Sequence, residues 1–461
     1  MSALVAVLDI GKTNAKLMLV EEDGRTLWSF ERASPAIAAA GLGPFTSVLD
    51  VHGIRAWMLA QLAAAPERHR IRAILPVAHG AAMVLVGREG EVLFAPDYED
   101  PAFDTALGAY RALRPRFAET LSPALPKGLN LGAQIHAVQS LTPEVFLRAQ
   151  WILPYPQFWA WTLSGVAASE VTSLGCHTDL WNPAAGCFSS LVSGQGWGAL
   201  FPPLAPARAV LGPLLPSLAE ATGLPGDCAV ICGIHDSNAS YLSHRVMRAE
   251  AEDFTVISSG TWCIILAKGA DLARLNEAED MLANVDALGQ PTPTARFMGG
   301  REYAAIAGAG GRSIAPDEAA LAEVLAAGAL ALPSFALAGP FQGREGRLLG
   351  ADALSSSGRA ALATLYCVLM ADFILDHLGA KGGILIDGPF AANPLFARAL
   401  QALRPHDAVA ASDQRGGITP AALWLAGFAP PAARAAVRAA PLAQADALRA
   451  TRDRWRSMLS G

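Results

Sequence analysis

The sequence predicts a two-lobed α/β protein, on three observations. The chain opens with a buried strand that ends on a carboxylate and turns through Gly, Thr and Asn into a second strand. The same strand-turn-strand design returns half a chain later. At 461 residues there is chain enough for two lobes of ordinary domain size, each with its own core.

The first hairpin is Val5-Ala6-Val7-Leu8-Asp9-Ile10-Gly11-Lys12-Thr13-Asn14-Ala15-Lys16-Leu17-Met18-Leu19-Val20, closed by the acidic turn Glu21-Glu22-Asp23-Gly24. A Gly turn with hydroxyl, amide and ammonium donors beside a fixed Asp can hold phosphates and a divalent cation. Gly11-Lys12-Thr13 matches the tail of a P-loop, but the first glycine of that motif would fall on Ala6. A P-loop also opens a helix, whereas Lys16 to Val20 read as a returning strand. What remains is the hairpin that opens actin- and hexokinase-type ATPase domains, or simply a strand capped by Asp9 and a tight turn at Gly11. The second copy, Asp253 to Ala267 around Ser258-Ser259-Gly260-Thr261-Trp262, favours the first reading, with each lobe offering one turn to a single polyphosphate.

Bulk composition narrows the class. Charged residues are 16% and hydrophobic residues 52%, with a mean hydropathy of +0.31. The longest apolar run, Ala360 to Leu375, is interrupted by Asp372 and reads as a buried helix too short to span a bilayer. No basic segment with an apolar core and cleavage site opens the chain, so a cytoplasmic protein without a membrane partner is expected. The six cysteines form no Cys-x-x-Cys pair and read as buried free thiols. A net charge of −6 and the absence of a Lys/Arg run argue against a nucleic-acid partner.

The first lobe is expected over residues 1–245, with strands near Val5–Asp9, Lys16–Val20, Ile71–Val77 and Ala229–Cys232; the second lobe takes 246–461. Between the middle strands lies a Pro-, Gly- and Trp-rich stretch, including Leu153-Pro154-Tyr155-Pro156-Gln157-Phe158-Trp159, suited to the substrate-side wall of a cleft. In the second lobe Gly383 to Asp387 reads as a strand, ended by Gly388-Pro389 and followed by a helix from Asn393 to Arg404. A strand, a Gly turn and a helix N-terminus form a resting place for a nucleotide. The tail after Pro430 is Ala/Arg-rich and reads as helical.

Chemistry concentrates in Gly233-Ile234-His235-Asp236-Ser237-Asn238, where a strand gives way to a helix N-terminus. A carboxylate there can accept the proton of a hydroxyl attacking a phosphoryl group, a role worth about 10²–10⁴-fold in rate. Asp236 or Ser237 could equally serve only as a helix cap.

Taken in order, these segments resemble the FGGY carbohydrate kinases, from about residue 4 to 428. Asp9-Ile10-Gly11-Lys12-Thr13-Asn14 is similar to the family's first phosphate motif and Ser258 to Trp262 to its second. Pro202-Pro203-Leu204, Leu211-Gly212-Pro213, Thr222-Gly223-Leu224-Pro225 and Gly233 to Asp236 follow the approach to its catalytic aspartate, and Gly382 to Gly388 resembles the strand before its adenosine site. The resemblance implies the two-lobed actin-like ATPase (ribonuclease H-like) fold with a central cleft that closes on ATP, Mg2+ and a free sugar, the sugar on the N-terminal lobe and the nucleotide on the C-terminal lobe. It implies Asp236 as general base and as a metal-site residue, with Asp9 in the magnesium shell. Gly11, Lys12, Thr13, Asn14, Lys16, Gly260 and Thr261 would meet the nucleotide phosphates, and Gly388 and Asn393 the adenosine. On the sugar side stand His79, as a donor, and Gly80 in the loop Val77-Ala78-His79-Gly80, with Gln134, His235 and Ser237; for Gln134, Glu170 and His177 structural roles compete. The resemblance also admits a homodimer.

The chain departs from the family in places. Lys12 stands where most relatives carry Thr and Lys16 where many carry Arg, so an ammonium replaces a guanidinium. Gly388-Pro389 replaces a double glycine. His235 before Asp236 is similar to rhamnulokinases and fuculokinases, which points to a deoxy-ketohexose of rhamnulose or fuculose type, or a ketopentose of ribulose or xylulose type. A chaperone-like ATPase and a catalytically silent sugar or nucleotide sensor are the rival readings; retention of both Asp9 and Asp236 weighs against the silent one.

Overall fold

The computed structural model describes residues 2–412, 417–430, 437–440 and 442–459. The chain divides into two compact units, the first made of Met1–Ala249, Ala283–Pro291 and Gly416–Ala432, the second of Glu250–Leu282, Thr292–Arg415 and Ala433–Gly461.

In the first unit β1 (Leu4–Ile10), β2 (Asn14–Glu21) and β3 (Thr26–Ala33) form an antiparallel meander. On its other side β1 pairs in parallel with β4 (Ile71–Ala78). An edge strand β5 (Val210–Pro213) closes the sheet against β6 (Ala229–Ile231), which runs parallel to β4, as does the short β7 (Ile234–His235). Both faces of β1 are covered, because successive side chains point to opposite sides of a sheet. Leu4, Ala6, Leu8 and Ile10 join a core with Ile54, Met58 and Leu62 of the helix Val51–Ala64. Val5 and Val7 join another with Leu242 of the helix Asp236–Arg245 and residues of the helix Thr419–Leu425. Each enclosed Leu or Val contributes about 1.5–3 kcal/mol. The alternation puts Asp9 on the side of Val5 and Val7, the side that the helix beginning at Asp236 covers.

The second unit repeats the plan. β8 (Phe254–Ser259) and β9 (Cys263–Ala267) form an antiparallel hairpin; after β10 (Met281–Val285), along which the chain passes from the second unit into the first, β11 (Pro291–Phe297) pairs with β9. β8 runs parallel to β12 (Gly383–Asp387), β12 to β13 (Val409–Ala411), and β14 (Val437–Arg438) ends the sheet. The orders β3-β2-β1-β4-β6 and β11-β9-β8-β12-β13 are therefore equivalent, three antiparallel strands followed by two parallel ones, as the paired hairpins imply.

The apolar run expected as a buried helix lies within Ser356–Leu378, capped by Ser355 and ended by Gly379 in the left-handed region. It is long and apolar enough to cross a membrane by composition, yet 83% of its most apolar window is enclosed within the protein. The expected helical tail is corrected in part. Val437–Arg438 pair with β13 as a strand and, among the described residues of the tail, only Ala445–Leu459 is helical, while residues 431–436 lie outside the described set. The edge of β13 offers this segment backbone partners, and it pairs there as a strand.

Candidate active site

Asp9 sits opposite Lys16 on β2 and Val77 on β4. Burial and the charge of Asp236 push its carboxyl up to about 6, against the pull of Lys16. The turn beyond it is closed by Gly11 N–H donating to Asn14 O at 2.9 Å, and it leaves the Thr13 and Asn14 side chains exposed. Lys12 folds away from them, its Nζ on Asp97 Oδ1 and 3.6 Å from Glu99 Oε2.

His79 is fixed at the end of β4. Its backbone N–H donates to Ile10 O at 3.0 Å, and its Nδ1 lies 2.7 Å from Gly80 O. A carbonyl only accepts, so Nδ1 carries the proton. Burial lowers the proton affinity of the ring despite the nearby Asp236, and the neutral imidazole presents Nε2 as an acceptor. The expectation of a His79 donor is corrected on that ground: Nδ1 is engaged by Gly80 O, and the other ring nitrogen only accepts.

Asp236 is the first residue of its helix and is partly exposed. Burial raises its proton affinity, opposed by His79 and by hydrogen bonds from Ser237. His235 beside it is pushed down to about 4 by burial and is neutral at pH 7. Asn238 Nδ2 lies 3.2 Å from His235 Nδ1, and His235 Nε2 lies 3.2 Å from Asp236 Oδ1. An amide N–H donating to Nδ1 leaves the ring proton on Nε2, the ring nitrogen that lies 3.2 Å from the Asp236 carboxylate. The backbone N–H of His235 donates to Thr172 Oγ1 at 3.1 Å, and the Thr172 hydroxyl is held by Glu170. The His235 ring also presses on the His79 loop, since a Cβ at Gly80 would meet Nε2 at 2.6 Å.

Other expected sugar-side residues support this arrangement from behind. Gln134 is fully enclosed, its Nε2 donating to Ala81 O and Gly128 O at 2.6 Å, and so holds the loop that carries His79. Glu170 caps the helix Val171–Leu174, and His177 Nδ1 meets Leu129 O at 2.8 Å. Ser237 is exposed beside Asp236.

In the second unit the Gly260-Thr261 turn borders a pocket of ≈ 630 Å³, lined also by Gly300, Arg301, Tyr303, Arg312, Pro389, Phe390 and Asn393. Ser259 Oγ ties the turn to the next strand, donating to Asp387 O at 2.5 Å and accepting from Phe390 N–H at 2.8 Å. Gly388, at φ +75°, packs so closely that a Cβ would lie 2.1 Å from Ser259 O. The glycine requirement of this crossing thus rests on 388, and Pro389 opens the 3-10 helix Gly388–Ala392, where a missing N–H costs little. Asn393 lines the pocket while its side chain caps the helix Pro394–Leu403 and donates to Thr364 Oγ1 at 3.0 Å. The contribution of Gly299-Gly300-Arg301-Glu302-Tyr303 escaped the sequence reading; its signal was a glycine pair opening the helix Gly299–Gly311 straight after a strand.

The donor set near Asp9 fits magnesium. Two carboxylates that disfavour each other's charge are what a divalent cation relieves, and Mg2+ is held by one or two carboxylates plus substrate phosphates. Among the described residues no group of three or more His, Cys, Asp or Glu forms a cage of its own.

Between the ordinary carboxylate value of 3.8 and about 6, the folded chain keeps a proton on Asp9 that the unfolded chain releases. The stability burden of Asp9 therefore grows as pH rises through that window and is full above it. Asp9→Asn is expected to be more stable than the parent at pH 8 by about 1–3 kcal/mol, with the difference fading toward pH 4. Thermal unfolding from pH 4 to 8 checks this, and an equal or lower melting temperature for the variant at pH 8 would contradict it.

Comparison with known proteins follows the same line. The family model for the carbohydrate kinase FGGY C-terminal domain matches residues 251–435. Curated protein sequences yield no match. Among solved structures the chain is similar to a carbohydrate kinase from Novosphingobium aromaticivorans, at 39% identity and TM-score 0.91, covering 100% of this chain and 99% of that one. It is also similar to xylulose kinase from Rhodospirillum rubrum (18% identity, TM-score 0.80, 99% and 98% covered) and to Plasmodium falciparum glycerol kinase with ADP (11%, 0.78, 100% and 98%). At those identities the last two speak for the fold alone, the actin-like ATPase fold. With a 39% identical relative matched end to end and the FGGY model on its second half, the chain belongs to the FGGY carbohydrate kinase family and is a sugar kinase.

Proposed function

We propose that this kinase transfers the γ-phosphoryl group of ATP to a hydroxyl of a free ketose, a deoxy-ketohexose of rhamnulose or fuculose type or a ketopentose of ribulose or xylulose type. The observation that carries the reading is the Asp236 carboxylate, partly exposed at a helix start, held by the Ser237 N–H, with His235 Nε2 3.2 Å away and Asp9 nearby. The His235-Asp236 pair favours a ketose over glycerol, through the resemblance it carries.

In this mechanism Asp236 accepts the proton of the attacking hydroxyl while the new P–O bond forms and the bond to the ADP oxygen breaks. Burial raises the basicity of Asp236 toward that task, and the Ser237 N–H, donating to Oδ1 at 2.6 Å, keeps one oxygen engaged so that the other can face the substrate. His79 Nε2 receives a second sugar hydroxyl. Asp9 and Asp236 would hold Mg2+, which when bound neutralises charge on the phosphates. Thr13 and Asn14, with Gly11 and Lys16, offer donors from the first turn; Gly260 and Thr261 offer the second, and the pocket lined by Tyr303, Phe390 and Asn393, next along the chain from Gly388, takes the adenosine. We also propose a reducing, cytoplasmic setting, supported by six unpaired cysteines.

ADP release from ATP and Mg2+ across ketoses, aldoses and polyols tests the reading. One ketose is expected to stimulate release, and Asp236→Asn to lose turnover by at least about 10²-fold with sugar binding retained; near-parental turnover would remove Asp236 as the base. Asn238→Ala frees the His235 tautomer and is expected to lower kcat on the order of tenfold. Asn238→Asp, which draws the proton to Nδ1, is expected to lower it further. Unchanged kcat in both would contradict a part for the His235 Nε2–H beside Asp236.

A further inference from the structure

We propose that Lys12 and Asp97 form an ion pair that reads two neighbouring hydroxyls of a neutral sugar, and so sets substrate choice in the first unit. The proposal rests on the kinase reading above. Lys12 stands in the turn where the family pattern has Thr, next to Thr13 and Asn14, whose side chains are exposed. Its ammonium does not extend with them. It reaches Asp97, 85 positions along the chain, and passes 4.9 Å from the centroid of the Tyr98 ring. The Tyr98 ring lies 6.2 Å from the ring of His79, and His79 feels the charges of both Lys12 and Asp236. The pair therefore belongs to the neighbourhood of His79 and Asp236.

The pair keeps hydrogen-bonding capacity. Of the three donors on Lys12, one is taken by Asp97, and Glu99 Oε2 lies 3.6 Å from the same nitrogen. Asp97 Oδ1 accepts from Lys12 and from Glu99 N–H, whereas among the described residues Oδ2 has only Ser47 Oγ at 3.5 Å. Asp97 is 5% exposed and the Lys12 side chain 19%, so Asp97 is enclosed while part of the Lys12 side chain stays open. A fixed donor beside a fixed acceptor matches a vicinal diol, one hydroxyl accepting from Lys12 while its neighbour donates to Asp97, in charge-assisted hydrogen bonds. Sites built to bond a hydroxyl reject analogues that lack it. Lys12 and Lys16 are outnumbered by Asp9, Asp97, Glu99 and Asp236, so the surroundings are net negative and disfavour a sugar acid.

Steady-state kinetics of the full chain with its best ketose test this, using Lys12→Met, Asp97→Asn and the double variant. Each single change is expected to raise KM for the sugar at least tenfold while KM for ATP stays within twofold. The double variant is expected to lose less than the product of the singles, because the two side chains act as a unit. Aldonates are expected to remain poor substrates of the parent. A rise in KM for ATP with sugar KM unchanged would overturn the proposal and make Lys12 a phosphate ligand. Should Lys12→Met fail to fold, Lys12→Thr and Asp97→Asn decide by the same split. A parent that binds ATP yet releases no ADP with any sugar would overturn the kinase reading and this proposal with it; a parent that turns over while the variants keep their sugar KM would overturn this proposal alone.

Discussion

Asp9 holds a carboxylate that burial and the charge of Asp236 both push toward protonation, up to about 6, with Lys16 alone among its main influences pulling the other way. Keeping it ionised at neutral pH costs the empty protein stability, and the first unit is arranged around that cost. Strand alternation aims Asp9 at the side covered by the helix that Asp236 begins. A register with Lys16 directly across the β1–β2 pair supplies the counter-charge. Strain of this kind, tolerated because a ligand relieves it, is where stability and activity part company.

Around the two carboxylates the neighbouring groups are neutral and directional. His79 is a bare acceptor because Gly80 O takes its Nδ1 proton, and His235 is a donor because Asn238 saturates its Nδ1. Two histidines in one neighbourhood thus play opposite parts, set by the hydrogen bond each makes on its far side. In the second unit the equivalent turn is held by backbone and hydroxyl contacts instead. Ser259 Oγ links it to Asp387 and Phe390, and the closeness of Gly388 to the Ser259 carbonyl leaves no room for a side chain.

Much of the fold was legible in sequence because it rests on local pattern. Continuous apolar runs ended by Asp9 and by Ser258-Ser259-Gly260 marked the β1–β2 and β8–β9 hairpins, and the run from Ala360 to Leu375 marked the core helix. Asp236 at a helix start was readable from Gly233 to Asn238 for the same reason. What escaped depends on contacts distant in sequence or on the state of a proton. Nothing near Lys12 announces Asp97, nothing in Val77-Ala78-His79-Gly80 reveals the tautomer of His79, and Val437–Arg438 became a strand only because the edge of β13 was open to it.

If the Asp9 carboxylate is held near pH 6 until a cation relieves it, binding of Mg2+ with ADP must displace protons from it. Calorimetric titration of Mg2+ and ADP at pH 6, in buffers of different ionisation enthalpy, counts those protons. The account expects the parent to release about half a proton more than Asp9→Asn. Equal release from the two proteins, with nucleotide bound by both, would contradict it.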